Sequence, residues 1–352
     1  MILISELVDR YRSELEHIHG HELLPSHHHA LSCMRSCRNQ YSDVMLLECS
    51  NCQQRIRLPH SCGHRSCPHC QHHEGQRWLQ RQRAKLLPVE YYLVTFTVPE
   101  QLRQLFWHHQ RTTYDLLLKT AWQTLSSFAS RDPRLKGRIG AHAVLHTHSR
   151  RLDYHPHVHL IIPAGAVNEQ SKELRKKSGK YLFRSGNLAK VFRAKWFDAM
   201  GKAGLSTQNS LPAQWVVDCK HVGRGDTALV YLGRYLYRGV LPEKNILAEE
   251  DGDITFRYTE NSGEKKTRTL SGAEFLWLLL LHVLPKRFRR VRDFGFLHSN
   301  CKKLIQLVQL LLGVRLPEKE PEIVRSPVHC PVCGNAMTII ATRLRLNEPM
   351  LC

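Results

Sequence analysis

The sequence contains no run of about 18 apolar residues, the length that a helix needs to span a membrane. Its longest apolar stretch, Phe275–Leu284, is long enough only for a buried helix, and a helix is predicted over Ser271–His282 with Ser271 as its cap. The first residues, Met1–Asp9, have neither the basic region nor the cleavage site of a secretory signal peptide. These absences argue against membrane insertion and secretion, and we expect the protein in the cytoplasm.

Acidic residues are scarce relative to basic ones. The 352 residues include 51 Lys and Arg but only 31 Asp and Glu, which gives a net charge of +20. Because 42% of the residues are hydrophobic and 23% are charged, the composition is that of a folded basic protein of two or three domains. The partner expected from this charge is nucleic acid; an anionic membrane surface would suit it too, but the lack of a long apolar run disfavours that alternative.

The twelve cysteines are concentrated in the first 70 residues. In a chain without a signal peptide, such crowding favours metal binding over disulfides. Two knuckle-like pairs, Cys49 with Cys52 and Cys67 with Cys70, predict one tetrahedral structural zinc site. Candidates for a second ion remain in the same region: Cys33, Cys37, His60, Cys62 and His64.

A third knuckle lies near the end of the sequence, at Cys330 and Cys333, and Cys352 is the last residue. These are three potential ligands rather than four. We therefore expect either an incomplete zinc ribbon or a site completed by His329. The histidine-rich run His17–His29 is interpreted as a solvated helix end and linker.

Residues 153–162 predict a strand that carries three histidines, and residues 141–147 predict a strand joined to it as a hairpin by the turn around Arg150 and Arg151. Side chains alternate faces along a strand, so His155, His157 and His159 share one face while Val158 and Leu160 point into a core. Imidazoles on one face of a rigid strand form a metal platform. With 23 histidines in the chain, a chance cluster without metal is the competing interpretation.

A second stretch, Asp226–Gly239, predicts a helix of about three turns, with Asp226 as its N-cap and Gly239 at its end. Tyr231 and Tyr235 lie at positions i and i+4 and share one face, although both could instead be core residues. Together the two stretches suggest a metal ion that polarises a DNA phosphate and a phenolate that attacks it.

The sequence resembles the HUH superfamily of single-strand nucleases, and within it the two-tyrosine transposases of the insertion sequence 91 family. The resemblance rests on segments in the family's order and spacing: Ser61–Cys70, Tyr91–Glu100, Val144–Thr147, His155–His159, Tyr231–Tyr235, Glu274–Phe275, His282–Pro285 and Arg292–Gly295. It departs at Met45, where family members often carry a histidine before the first knuckle.

The resemblance implies that His157 and His159 hold a catalytic divalent ion, Mg²⁺ or Mn²⁺, and that Tyr231 and Tyr235 are nucleophiles. Its third metal ligand stays open among His146, His148 and His155. It implies an α+β fold, in which an antiparallel-sheet nuclease core with a ferredoxin-like palm is joined to an N-terminal zinc-binding module and a mostly helical C-terminal part.

Six segments are expected. They are an N-terminal helical, His-rich segment (1–32), a zinc-binding module (33–74), a basic linker helix (75–88), the HUH core (89–245), a C-terminal hairpin and basic helical region (246–318) and a tail with a partial zinc knuckle (319–352). Basic side chains are expected to contact DNA phosphates, with solvated surface as the alternative. They are Arg77, Arg81, Arg234, Arg238, Lys286, Arg287, Arg289 and Arg290. The last four belong to the stretch Lys286–Phe296, which is expected to be a strand whose Phe288, Phe294 and Phe296 either stack on bases or pack in the core.

The resemblance predicts a bacterial transposase that nicks and transfers single-stranded DNA through a 5′-phosphotyrosine and is associated with the nucleoid when bound to DNA. It leaves a homodimer open. Two other functions fit the residues: a rolling-circle replication initiator with the same chemistry, and a non-catalytic zinc-dependent DNA-binding protein. The zinc module and the downstream segments favour the transposase. Replacement of Tyr231 by Phe would distinguish these functions, since it should abolish activity if the protein is catalytic and leave activity unchanged if it only binds DNA.

Overall fold

A computed structural model describes residues 2–39, 41–67, 70, 78–208, 210–225, 227, 240–260, 262–314 and 327–344. The helices are α1 (Ile4–His19), α2 (Pro25–Arg35), α3 (Arg103–His108), α4 (Gln110–Arg131), α5 (Ser185–Lys202), α6 (Gly272–Leu280) and α7 (Lys302–Leu311). The strands are β1 (Val44–Cys49), β2 (Arg55–Pro59), β3 (Glu90–Thr97), β4 (Gly140–His148), β5 (Tyr154–Pro163), β6 (Gly165–Asn168), β7 (Glu173–Lys176), β8 (Val216–Arg224), β9 (Ile246–Glu250), β10 (Asp253–Thr259), β11 (Lys265–Ser271), β12 (Val291–Gly295) and β13 (Met337–Leu344).

A five-stranded sheet in the order β12-β4-β5-β3-β8 forms the centre of the molecule. All of its neighbouring strands pair antiparallel. Strand β5, which carries the three histidines, lies in the middle of the sheet, and β4 pairs with it as the predicted hairpin. The mixed α+β class with antiparallel sheets is therefore confirmed.

One face of the central sheet packs against α4 and α5. Val158 and Leu160 of β5 point into this core, where Phe192 and Trp196 of α5 are fully buried. The alternation predicted for β5 is thus confirmed: its apolar side chains build the helix-covered face and its histidines lie on the other.

Among the described residues, the opposite face is covered over only part of its length. A helical segment at 78–83 and α7 pack there on Val144 and Ile161. The remainder of this face, beyond Val144 and Ile161, carries His146, His157 and His159. The fold thus leaves polar side chains of β4 and β5 at an accessible part of the sheet.

A second layer joins the beginning of the chain to residues 246–280. Helix α1 packs against α6, and both contribute to a core that includes Phe256 of β10 and Phe275 of α6. Strands β9, β10 and β11 form a separate antiparallel sheet in the order β11-β10-β9. Ser271 caps α6 as predicted, since its side chain accepts a hydrogen bond from the Glu274 amide.

The expectation of a mostly helical C-terminal part is wrong. Residues 246–318 contain the sheet of β9, β10 and β11, and also β12, which is the edge strand of the central sheet. Strand β12 lies within the stretch Lys286–Phe296, where a strand was expected, whereas the sequence signal for β9 was weak because this strand is short and carries charged residues. No helix in the described part of the chain is long and apolar enough to cross a membrane.

A third sheet unites the two ends of the described chain. Its order is β13-β1-β2, so a strand from residues 337–344 pairs antiparallel with one from residues 44–49. The predicted tail segment is therefore part of the same sheet as the predicted zinc-binding module.

Candidate metal and DNA site

Three histidines from two neighbouring strands bring their ring nitrogens together. His146 of β4 lies directly opposite His157 of β5 in the strand register, and His159 follows on the same face of β5. Their ligand atoms all lie within 4.8 Å of one another. We name this group, His146 with His157 and His159, the histidine triad.

Hydrogen bonds on the far side of two rings fix their orientation. The Nδ1 atom of His157 lies 2.7 Å from the backbone carbonyl of His155. A carbonyl can only accept, so Nδ1 carries the proton and Nε2 keeps its lone pair. His159 is held similarly through Nδ1, which lies 2.9 Å from the hydroxyl of Thr95 on β3. Such partners orient metal-binding imidazoles and set their tautomers.

The geometry of the triad fits a small divalent cation. Nε2 of His157 and Nε2 of His159 are 3.1 Å apart. Two ligand atoms at right angles about an ion, each roughly 2.1 Å from it, would be about 3.0 Å apart. Because Nε2 of His157 presents a lone pair, a cation between the two rings would satisfy both nitrogens.

Burial keeps these imidazoles neutral, as metal ligation requires. Desolvation, followed by weaker charge effects from neighbouring groups, lowers the pKa of His146 and of His159 well below its usual value. Burial likewise lowers the pKa of His157 to about 3. The triad therefore presents uncharged rings at neutral pH.

The other two candidates for the third ligand lie outside this group. His155 is on the same face of β5, but its Nδ1 lies 3.4 Å from the guanidinium of Arg103. His148 packs 5.3 Å from the ring of His282. Of the three alternatives that the sequence left open, the structure brings only His146 to His157 and His159.

The triad opens into a cleft of about 990 Å³. Strands of the central sheet form its floor, and segments 149–153, 240–245 and 257–260 line its sides together with Ser262. Basic side chains outnumber acidic ones in the lining of the cleft: Arg150, Arg151, Lys220, Arg257 and Arg290 compare with Asp153, Asp218 and Glu260. A positively charged groove beside a metal-binding group is suited to a nucleic-acid backbone.

Several predicted site residues lie outside the described part of the chain: Tyr231, Tyr235, Arg77, Arg234 and Arg238. Among the other basic candidates, Arg290 lines the cleft. Arg81, Lys286, Arg287 and Arg289 are exposed at the surface.

The aromatic residues interleaved with this basic stretch pack within the protein. Phe288 is buried in the main core and Phe296 beneath α7. Phe294 stacks on Trp122 with ring centroids 5.2 Å apart. The sequence left base stacking and core packing open for these rings, and the structure shows packing.

The cysteines form two clusters of four. In the first, Cys37, Cys62, Cys67 and Cys70 approach one another, with Cys70 Sγ 3.5 Å from Cys37 Sγ and 3.6 Å from Cys62 Sγ. Four sulfur ligands at about 2.3 Å from a tetrahedral zinc ion would lie roughly 3.8 Å apart. The amide of His64 donates to Cys62 Sγ at 3.4 Å. The cluster fits a structural zinc ion.

The second cluster contains Cys49, Cys52, Cys330 and Cys333. The prediction that Cys49 and Cys52 share one ion with Cys67 and Cys70 is therefore wrong: each of these pairs belongs to a different cluster. Knuckle spacing identifies ligand pairs, but it cannot tell which pairs meet in the fold.

Other predicted zinc ligands do not join the described clusters. His64 is not among the grouped ligands, and its Nδ1 accepts a hydrogen bond from the Ser66 amide. His60 contacts the hydroxyl of Thr342, and His329 lies 2.9 Å from the carbonyl of Gly334 through Nδ1. The expected incomplete ribbon was also wrong, because Cys49 and Cys52 supply what the tail lacks. Cys352 lies outside the described residues.

The first cluster is anchored to the segment that leads into the cleft. Arg65, in the loop between Cys62 and Cys67, donates hydrogen bonds to the carbonyls of Leu284, Pro285 and Phe288 at 2.6, 2.6 and 2.7 Å. Leu284 also lines the cleft. The loop that presents the cysteines therefore packs directly against the wall of the candidate site.

Comparison with known proteins places these features in a family. A family model described as "Transposase zinc-binding domain", named for insertion sequence 91 transposases, matches residues 3–98. A second model, described as "Putative transposase", matches residues 140–304. The first contains one cysteine cluster whole, and the second contains the histidine triad. The chain belongs to the insertion sequence 91 family of transposases.

Full-length relatives agree. This transposase is 29% identical to "Putative transposase y4qJ" of Sinorhizobium fredii, over 96% of this chain and 94% of that protein. It is 26% identical to "Transposase for insertion sequence element IS801" of Pseudomonas savastanoi pv. phaseolicola, over 88% of this chain and 82% of that protein. No solved structure matches. As a transposase, the protein has DNA as its partner.

Sequence reasoning missed two features of the site. Thr95 orients His159, but a threonine on a predicted strand carries no signal of a role in ligand positioning. The pairing of Cys49 and Cys52 with the tail was missed because the two knuckles are separated by most of the chain.

Proposed function

We propose that this transposase is an HUH-type endonuclease that nicks single-stranded DNA and transfers the strand through a 5′-phosphotyrosine intermediate. The observation that carries the proposal is the histidine triad: three neutral imidazoles on adjacent strands, at the floor of a basic cleft. Membership of the transposase family favours this role over replication initiation, and the proximity of the three rings favours it over a structural role for the histidines.

The residues proposed to hold the catalytic ion are His146, His157 and His159. A bound Mg²⁺ or Mn²⁺ would polarise the scissile phosphate and neutralise its developing charge, with coordination positions left open for phosphate oxygens. Thr95 and the His155 carbonyl position two of the rings from behind. Such partners preorganise the ligands before substrate arrives.

Tyr231 and Tyr235 are the proposed nucleophiles. The phenolic oxygen of one tyrosine attacks phosphorus and forms a new O–P bond, while the bond from phosphorus to the 3′ oxygen breaks. The 3′ oxygen leaves as a hydroxyl after taking up a proton, and the 5′ phosphate stays on the tyrosine. The phosphotyrosine keeps the energy of the broken phosphodiester, so attack by another 3′ hydroxyl can rejoin strands without ATP. Two tyrosines let one chain hold two strands.

The cleft supports a single strand as the substrate. Lys220 of β8, Arg150 and Arg290 line the cleft from different elements, and basic residues outnumber acidic ones in its lining, so a phosphate bound there would be attracted. The exposed basic residues Arg81, Lys286, Arg287 and Arg289 are proposed to contact DNA outside the cleft, together with Arg77, Arg234 and Arg238. The first cysteine cluster is proposed to bind a structural zinc ion, because it lies outside the cleft and its four thiolates would close the coordination shell.

The test is a covalent trapping assay. The purified protein is incubated with labelled single-stranded oligonucleotides from the ends of its own element plus Mn²⁺, and adducts that survive denaturation are separated. Wild type is compared with Tyr231→Phe, Tyr235→Phe and the double variant. Tyr237→Phe serves as a matched control, since the helix predicted from the sequence would place Tyr237 off the face shared by the other two tyrosines.

The proposal predicts an adduct that needs metal, persists in Tyr237→Phe and disappears in the double variant. The single variants would then assign the order of attack. An adduct that survives in the double variant would exclude these tyrosines as nucleophiles. Strong binding of single strands with no adduct in wild type would instead favour a non-catalytic DNA-binding protein.

A further inference from the structure

Four sulfur atoms from opposite ends of the described chain meet beside the small sheet of β13, β1 and β2. Cys49 Sγ lies 3.4 Å from Cys333 Sγ, and Cys52 Sγ lies 3.5 Å from Cys330 Sγ. All four lie within 4.8 Å of one another. Sulfur ligands of a tetrahedral zinc ion would be roughly 3.8 Å apart, so the arrangement matches that of a four-thiolate site.

The two knuckles have the same backbone geometry. The Cys49 amide donates to the Gln54 carbonyl, and the Gln53 amide donates back to the Cys49 carbonyl, both at 2.9 Å. The same two bonds recur five and four residues apart in the tail, from Cys330 to Asn335 and from Gly334 to Cys330.

In each knuckle the residue after the second cysteine has a positive φ, +59° at Gln53 and +74° at Gly334. A glycine adopts this conformation freely, whereas a glutamine does so at a cost. The turn nevertheless holds Gln53 in this conformation and so brings the thiols of Cys49 and Cys52 to one side. This geometry indicates a knuckle that binds a ligand.

Few other contacts among the described residues hold residues 327–344 in place. Strand β13 pairs with β1, and the core beneath them contains four buried residues, Leu47, Cys49, Cys330 and Met337. Cys52 and Cys333 are exposed. A hydrophobic core of this size contributes little to folding, and small units of this kind are commonly stabilised by a structural metal.

We propose that a second structural zinc ion is bound by Cys49, Cys52, Cys330 and Cys333. This ion joins residues 327–344 to the N-terminal module as a zinc ribbon. The site extends beyond the matched zinc-binding domain, which ends at residue 98 and supplies only two of the four ligands. Neither family model reaches the tail cysteines. A closed shell of four thiolates makes the site structural rather than catalytic.

The test measures zinc per chain in the purified full-length protein and in three variants. These are Cys330→Ser/Cys333→Ser, Cys49→Ser/Cys52→Ser and the quadruple variant. The expected result is the loss of one zinc ion per chain from each double variant, and of one ion, not two, from the quadruple variant. Cys301→Ser is the control and should lose none, since Cys301 lies outside both clusters.

Two results would overturn the proposal of a zinc ion shared by the two knuckles. A full zinc content in Cys330→Ser/Cys333→Ser would mean that the tail holds no metal. Loss of two ions from the quadruple variant would mean that the two knuckles bind metal separately.

Alkylation of the wild-type protein provides a test that does not depend on folding of the variants. Cys52 and Cys333 are exposed, so without a metal they should react with iodoacetamide at least as readily as Cys301. With zinc bound, mass spectrometry should find both protected until a chelator is added. Rapid alkylation of both before chelation would contradict the proposal.

Discussion

Gly295, the last residue of β12, is the position at which a single methyl group should most disturb the packing of this edge strand. Its φ is +62°, in the left-handed region that side chains rarely adopt. A Cβ atom there would overlap the carbonyl oxygen of Ile139 and lie 2.8 Å from the carbonyl carbon of that residue and 2.9 Å from Trp122. The substitution Gly295→Ala therefore combines backbone strain with a clash against backbone that cannot rotate away.

The expected cost follows from these two terms. The left-handed conformation costs a non-glycine residue about 1–2 kcal/mol. Overpacking of a well-packed site adds about 1–3 kcal/mol, and the upper end applies here because the obstacle is main chain. The free energy of unfolding should therefore fall by roughly 2–5 kcal/mol, a large part of the total of about 5–15 kcal/mol that proteins possess.

Gly252→Ala provides the matched control. Gly252 also has a positive φ, +87°, but a Cβ there would meet nothing within 4 Å. Urea unfolding followed by circular dichroism should show a loss of about 1–2 kcal/mol for Gly252→Ala, from backbone strain alone. A loss in Gly295→Ala no greater than in Gly252→Ala would refute the packing of β12 against residues 139–140.

Three other predictions concern the site and its surroundings. Mn²⁺ should support DNA cleavage at lower concentration than Mg²⁺, because Mg²⁺ prefers oxygen ligands and the described ligands are imidazoles; equal half-maximal concentrations in parallel titrations would argue against the triad as the metal site. Burial lowers the pKa of His282 to about 4, so the unfolded chain binds a proton that the folded chain does not between pH 6.5 and about 4. The stability that neutral His282 contributes is therefore present above pH 6.5, and roughly 3 kcal/mol of it is lost as the pH falls through this window. In His282→Gln the free energy of unfolding should consequently depend less steeply on pH. Arg65→Lys keeps the charge but cannot reach three carbonyls at once, so the free energy of unfolding should fall by about 1.5–3 kcal/mol in thermal unfolding. An unchanged unfolding midpoint would show that these hydrogen bonds do not stabilise the junction between the loop and the cleft wall.

The elements that the sequence predicted well are those with local signals. The hairpin of β4 and β5 was predicted because apolar and polar residues alternate along both strands and a polar turn separates them. The face shared by His157 and His159 followed from the same alternation, since strand geometry alone places i and i+2 on one side. Helix α6 was predicted from its cap, Ser271, and its apolar composition.

The features that could not be predicted depend on contacts between distant segments. His146 joins the triad because β4 and β5 pair in a register that places it opposite His157, and the sequence equally allowed His148 or His155. The cysteine pairing failed for the same reason: Cys49 and Cys330 meet through the pairing of β1 with β13. The strand at β12 was expected, but its place at the edge of the central sheet depends on its pairing with β4, about 150 residues earlier in the chain.

The most direct test of the central claim, that the histidine triad holds the catalytic ion, is the yield of covalent protein–DNA adduct as a function of Mn²⁺ concentration. Wild type is compared with His146→Asn and His155→Asn, which remove neighbouring imidazoles inside and outside the triad. We expect His146→Asn to need at least about tenfold more Mn²⁺ for half-maximal adduct, since loss of a residue that only hydrogen-bonds to a metal ligand already lowers metal affinity by this much. His155→Asn should titrate close to wild type. Identical titration curves for His146→Asn and wild type, or adduct formation without any metal, would contradict the claim.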